Sequence, residues 1–168
     1  MGLKHLFARI PFYPDFAKWR DWGQTFLDLH MGYEGVEPRP LTRTDTEDTD
    51  AASAGLTPKP KLKASKDVGQ IELDSETTLS GIPPEVWVYK LGNRSGLEWM
   101  LDQYKEKKPR DPTVAAKFNT YRFADYKDHV IDLITRVTRV AVETMAITEA
   151  MRRAKREGSE AQASADDA

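Results

Sequence analysis

Tyr89-Lys-Leu-Gly-Asn-Arg-Ser-Gly-Leu-Glu-Trp-Met-Leu-Asp-Gln-Tyr104 sets a turn, a helix cap and an apolar stripe in direct succession. Gly92-Asn93 turns the chain. Ser95-Gly-Leu-Glu98 has the form of a capping box: Ser95 accepts from the amide of Glu98, and the Glu98 carboxylate accepts from the amide of Ser95. Leu97, Met100, Leu101 and Tyr104 then recur at helical spacing. This predicts a helix from Gly96 to about Glu106, ended by Pro109 and Pro112. Just before the corner, Glu85-Val-Trp-Val-Tyr-Lys-Leu91 is rich in β-branched and aromatic residues and predicts a strand. Strand, corner and capped helix in one run point to a mixed α/β (α+β) domain.

Downstream, Val130, Ile134, Val137, Ala141, Thr144, Thr148 and Met151 keep a three–four spacing, with Asp132 one turn before Arg136 on the opposite side. A helix from about Ala124 to Lys155 follows, and its wide stripe needs a cover from this chain or from a partner. Upstream, Val68–Leu73 alternates weakly, as a short strand does, and Thr77–Pro84 reads as turn. Lys59, Lys61 and Lys63 stand in what reads as a flexible arm. Two prolines extend Arg9–Phe16, and Asp15 caps a helix to about His30. Phe16, Trp19, Gly23, Phe26 and His30 mark its expected buried face, with Gly23 admitting a close backbone. The expected fold is a small sheet with an aromatic N-terminal helix and a long C-terminal helix packed across it.

Composition divides the chain further. It has 168 residues, 39% hydrophobic and 31% charged, with a net charge of −2 and no cysteine. The acidic tract from Thr44 and the Ala/Gly/Pro-rich stretch after it offer little to bury, and nor does the end from Glu157. The expected organisation is therefore a helical part over 9–41, a disordered linker or insertion over 42–57, the main part over 58–154 and a disordered tail over 155–168. Absence of cysteine excludes disulfides, thiolate metal sites and a cysteine nucleophile, and fits a reducing cytoplasm. No apolar run approaches transmembrane length and the start lacks a signal-peptide h-region, so no membrane is expected.

Catalytic constellations are missing. There is no Walker-type loop, no Gly-x-Gly-x-x-Gly and no Asn-Pro-Pro-Tyr-type methyltransferase motif. His5, His30 and His129 form no ligand-spaced pair. Asp67, Glu72, Asp74 and Glu76 lack the Glu/Gln-x-Lys that a nuclease-like cluster needs behind them. The chain is expected to be no enzyme by itself and to need no cofactor.

Charge is regional. From Trp87 to Arg122 stand Lys90, Arg94, Lys105, Lys107, Lys108, Arg110, Lys117 and Arg122, against Glu98, Asp102, Glu106 and Asp111. Such a face suits phosphate, or is a solvated lysine-rich surface. Trp87, Tyr89, Trp99, Tyr104, Tyr121 and Phe123 are interleaved with it. Trp87, Trp99 and Tyr104 read as core; Tyr121-Arg-Phe123 is open between packing and base stacking.

Four ordered strings carry a family resemblance: Arg9-Ile-Pro-Phe-Tyr-Pro-Asp-Phe16, Tyr89–Tyr104, Phe118-Asn-Thr-Tyr-Arg-Phe-Ala-Asp-Tyr126, and Val130–Thr144. Together they resemble the C-terminal specificity (target-recognition) domain of the single-polypeptide type I, or type ISP, restriction–modification enzymes. More loosely they are similar to fused restriction–methylation enzymes of the Eco57I kind. The resemblance implies DNA target recognition, with N6-adenine methyltransferase, helicase and nuclease parts as partners elsewhere. It further implies that Met1–Ala8 enters mid-domain, so a split subunit or truncated remnant is expected.

On that basis the expected contacts with double-stranded DNA are Lys90, Asn93, Arg94, Lys105, Lys107, Lys108, Arg110 and Arg122. Asn93 and Arg94 sit at a corner beside the positive end of a capped helix, and Asn reads adenine as Arg reads guanine. Equally open is that Asn93 serves the turn and Arg94 pairs with a carboxylate. The alternative function is a protein–protein module in which the Val130–Met151 helix docks on the methyltransferase part.

Overall fold

Alternation within two neighbouring segments builds the sheet. Strand β3 (Gln70–Asp74) turns Ile71 and Leu73 inward, and β4 (Thr77–Ser80) turns Thr77 and Leu79 inward. With β1 (Thr42–Asp45) and β2 (Pro60–Ser65) they form an antiparallel sheet in the order β1-β4-β3-β2. In this computed structural model residues 15–46, 57–107, 109–118 and 120–166 are described. The expected extended run at Arg9–Pro14, the middle of the proposed linker (47–56) and Lys108 lie outside them.

The helices are α1 (Phe16–Met31), α2 (Glu85–Val88), α3 (Gly96–Gln103), α4 (Pro112–Phe118) and α5 (Lys127–Asp166). A two-stranded hairpin, β5 (Lys90–Leu91) and β6 (Arg94–Ser95), lies between α2 and α3. The mixed α/β class with a small sheet and a long C-terminal helix is the observed architecture. One face of the sheet, α2, α3 and α5 share a core that includes Ile71, Leu79, Val86, Leu97, Phe123 and Ile134.

The cover for the long apolar stripe is this chain itself. Val130, Ile134, Thr138 and Ala141 of α5 are fully buried. The helix is anchored at its start: Lys127 Nζ lies 2.7 Å from Asp74, whose other oxygen accepts the amides of Glu76 and Thr77. Farther along, Arg136 donates to the carbonyls of Glu34 and Val36 and pairs with Asp132 at 2.7 Å, as the helical spacing predicts. Beyond Lys155 the helix continues to Asp166, where sequence reading put a disordered tail. Glu149 pairs with Arg152 and Arg153 one turn on and with Arg156 two turns on, and the one-turn pairs support the helix at the start of this stretch.

Four other expectations change. Glu85–Leu91 is a helical turn followed by a two-residue strand, because Val86 and Trp87 are both buried while Val88 is exposed. Adjacent inward side chains suit a helical turn, whereas a strand alternates them; packing overrides β-propensity here. Thr77–Ser80, read as turn, is a strand whose inward alternation its Ser/Thr content conceals. Thr42–Asp45, assigned to a disordered linker, is an edge strand: its side chains are exposed, and it needs only main-chain pairing with β4. Finally, α1 is capped by Asp15 as expected, yet its buried residue is Leu29, not the Phe16–His30 face. Phe16 is 75% exposed, and a Cβ placed on Gly23 would meet no other part of the described protein within 4 Å, so no described backbone packs closely there.

Candidate nucleic-acid interface

The capping box positions everything at this end of the molecule. The Ser95 hydroxyl accepts from the Glu98 amide at 3.2 Å, and Glu98 accepts from the Ser95 amide at 2.9 Å. Lys66 Nζ adds a 2.8 Å pair to the same carboxylate. Burial works to raise the Glu98 carboxyl, but the Lys66 ammonium and the Ser95 donors outweigh it and bring it down to about 2. The cap is therefore ionised at neutral pH and fixes where α3 begins.

From that fixed start hangs the hairpin. Gly92 has φ +72, and Asn93 stays outside the left-handed region, the pattern of a type II′ corner. Trp99, one turn into α3, donates its indole N–H to the Leu91 carbonyl at 3.0 Å, and the Arg94 guanidinium lies over its ring at 5.7 Å. Trp99 is 42% exposed, so it braces the hairpin from outside and is not the core residue it was read as among the aromatics of the basic region. Lys90, Asn93 and Arg94 are all exposed on this hairpin.

Opposite lies β2. A bulge between Pro60 and Lys63 puts Leu62 at φ +44 with its side chain 2% exposed. The left-handed backbone costs about 1–2 kcal/mol, and burying a leucine returns about 1.5–3 kcal/mol. Leu62 therefore stays in, and Lys61 and Lys63 stay out. These two lysines, expected on a flexible arm, belong to a sheet strand facing α3.

The result is a groove of about 380 Å³ between β2 and α3, lined by Lys61, Lys63, Arg94 and Lys105, with Glu98 and Asp102 as its acids. A smaller recess of about 200 Å³, which also includes Lys61 and Lys105, extends it toward Glu106. Asp102 is the electrostatic hub: its carboxylate lies 3.3 Å from Lys107, 3.6 Å from Arg94 and 4.0 Å from Lys105. The Lys107 hydrogen bond, then the charges of Lys107, Arg94 and Lys105, hold its carboxyl below the usual aspartate range. Arg94 thus has the carboxylate partner that its second reading foresaw. Its side chain is still about half exposed.

Not every expected residue joins the groove. Arg110 is exposed in the segment before α4, and Arg122 donates to the Tyr121 carbonyl at 2.8 Å; neither lines the groove. Phe123 is core, as is Trp87. Tyr121 stacks on Tyr126 at 5.3 Å and donates to the Tyr104 carbonyl at 2.9 Å, which makes it an internal brace. The supposed carboxylate cluster is dispersed: Glu72 pairs with Lys61 and Asp74 with Lys127. Among the described residues no group of His, Asp and Glu is placed to hold a metal, and no helix is long and apolar enough to cross a membrane. Sequence reading missed Asp102 as a counter-ion, although Lys105 three residues on was a visible signal for it.

Residues 2–133 match the family model of the Type ISP C-terminal specificity domain. A solved structure described as a cryo-EM DrdV–DNA complex is 54% identical over 83% of this chain, with a TM-score of 0.75. A nuclease-deletion mutant of the type ISP restriction–modification enzyme LlaGI, with a DNA substrate mimic, is 22% identical over 84% of this chain (TM-score 0.60). The ATP-dependent type ISP enzyme LlaBIII bound to DNA is 21% identical over 85% (TM-score 0.62); these two show a shared fold. The chain spans 14%, 13% and 9% of the lengths of those three chains, respectively. No curated protein matches it. The chain belongs to the type ISP C-terminal specificity domain family, a non-catalytic region of those enzymes.

Proposed function

We propose that this chain recognises a double-stranded DNA target for methyltransferase, helicase and nuclease parts that lie elsewhere, and that it does so in the cytoplasm. The observation that carries the reading is the convergence of Lys61 and Lys63 from one segment with Arg94 and Lys105 from another along a single groove. Cations from strands β2 and β6 and the loop after α3, gathered on one open groove, suit a phosphate backbone, which any sequence supplies. The neighbouring II′ hairpin then offers Asn93 and Arg94 to base edges, where each can make paired hydrogen bonds. Lys90, Lys107, Lys108, Arg110 and Arg122 are assigned to flanking phosphates. A structure 54% identical to this chain is described as a DNA complex, which supports DNA as the partner. Docking through the apolar face of α5 is the weaker reading, because Val130, Ile134 and Ala141 already pack in the chain's own core.

The test uses the full chain and a labelled random-sequence duplex, followed by fluorescence anisotropy across a salt series. Affinity should fall steeply with salt, and the pair Lys61→Glu and Lys105→Glu should weaken binding to every sequence alike. Arg94→Ala should instead change which duplexes are selected from a randomised pool. Binding that ignores both salt and the charge reversals overturns the proposal.

A further inference from the structure

We infer that Asp102 is a built-in brake on sequence-independent DNA binding, a role that rests on the DNA reading of the groove. Three cations, one from strand β6 and two from the loop after α3, converge on this one carboxylate: Arg94 at 3.6 Å, Lys105 at 4.0 Å and Lys107 at 3.3 Å. The Asp102 side chain is 32% exposed, and the three cations are between 46% and 62% exposed. Each cation can therefore leave Asp102 and meet a phosphate without unfolding anything. The other acid of the groove cannot serve this way. Glu98 is committed to its cap and to Lys66.

The consequence follows from charge alone. Affinity for arbitrary DNA comes from phosphates replacing the counter-ions around protein cations. Cations that share a carboxylate inside the protein have less to gain from that exchange, and the carboxylate repels each approaching phosphate. Asp102 imposes both penalties at once on three of the cations available. A base-reading contact by Arg94 has to be good enough to draw the guanidinium off Asp102, whereas a passing phosphate offers only what the carboxylate already supplies. Asp102 holds the surface in check until a matching site is met.

Asp102→Asn is nearly isosteric and removes the charge, while Asp102→Glu retains it. With the full chain and a random-sequence duplex, Asp102→Asn should bind about ten-fold tighter, as expected from relieving three exposed ion pairs. Its log–log salt dependence should steepen by about one, for one more net positive charge neutralised. Asp102→Glu should stay near the parent protein, and Asp102→Ser should follow Asp102→Asn. Equal or weaker binding by Asp102→Asn overturns the brake, provided that Lys61→Glu with Lys105→Glu still weakens binding. If those charge reversals have no effect either, the DNA reading of the groove fails and takes the inference with it.

Discussion

Glu98→Gln isolates the charge of the capping box, since glutamine keeps the reach and a hydrogen-bonding end at the same position. In the folded chain the Glu98 carboxyl is down to about 2, against burial, because Lys66 and Ser95 hold its anionic form. An ordinary glutamate titrates at about 4.3, and each unit of difference is 1.36 kcal/mol. The gap is therefore worth about 3 kcal/mol before screening. A quarter of the side chain meets solvent, and screening there lowers the expected contribution to about 1–2 kcal/mol. Because the folded value is depressed, this stability is fully present above the unfolded value and is lost as pH falls from about 5 to about 2. Urea unfolding of the full chain, followed by far-ultraviolet circular dichroism from pH 7 to pH 2, reads it directly. The parent should exceed Glu98→Gln by about 1–2 kcal/mol at pH 7, and the two curves should converge near pH 2. A difference that stays constant over the whole range refutes the reasoning, because the contribution would then come from shape and not from charge.

Three more outcomes follow from the packing. Lys127→Met leaves the nearly buried Asp74 carboxylate without its cation and should cost about 3 kcal/mol in urea unfolding at neutral pH. Gly69→Ala should lower the melting temperature, since a Cβ there falls 2.4 Å from the Ile82 carbonyl and the residue has φ +61. Trp99→Phe keeps a ring beneath Arg94 but removes the indole donor to Leu91. It should cost about 1 kcal/mol in chemical denaturation and speed amide exchange around Gly92 and Asn93; unchanged exchange refutes the bracing role.

Sequence periodicity carried the helices well and the sheet poorly, for a physical reason. A helix announces itself through several repeats and its own cap, as Ser95-Gly-Leu-Glu98 and the Val130–Ala141 stripe do. Thr77–Ser80 holds only two inward positions, one of them a threonine, so its alternation is too short to stand above composition. Thr42–Asp45 buries no side chain at all and is a strand only because β4 offers an open edge. Val86 and Trp87 have strong strand propensities, yet two adjacent inward side chains under α5 require a helical turn. Local preference decided where packing was indifferent.

The site divides along the same line. The hairpin corner and the cap were visible because their chemistry is local: a glycine for the positive φ, a serine and a glutamate three apart. The groove is not local. Lys61 and Lys63 face Arg94 and Lys105 because Leu62 takes a left-handed backbone to bury its side chain, turning a lysine-rich stretch into one wall of a cleft. No spacing rule connects a bulged strand to a helix more than thirty residues on. Asp102 shows the converse. Its link to Lys105 is a short-range pair three residues on, across the end of α3, but its meeting with Arg94 depends on the hairpin folding back over Trp99. A net charge of −2 therefore conceals a groove in which cations outnumber acids. What matters for a polyanion is how many of those cations an internal carboxylate releases on contact, a quantity fixed by tertiary structure and not by composition.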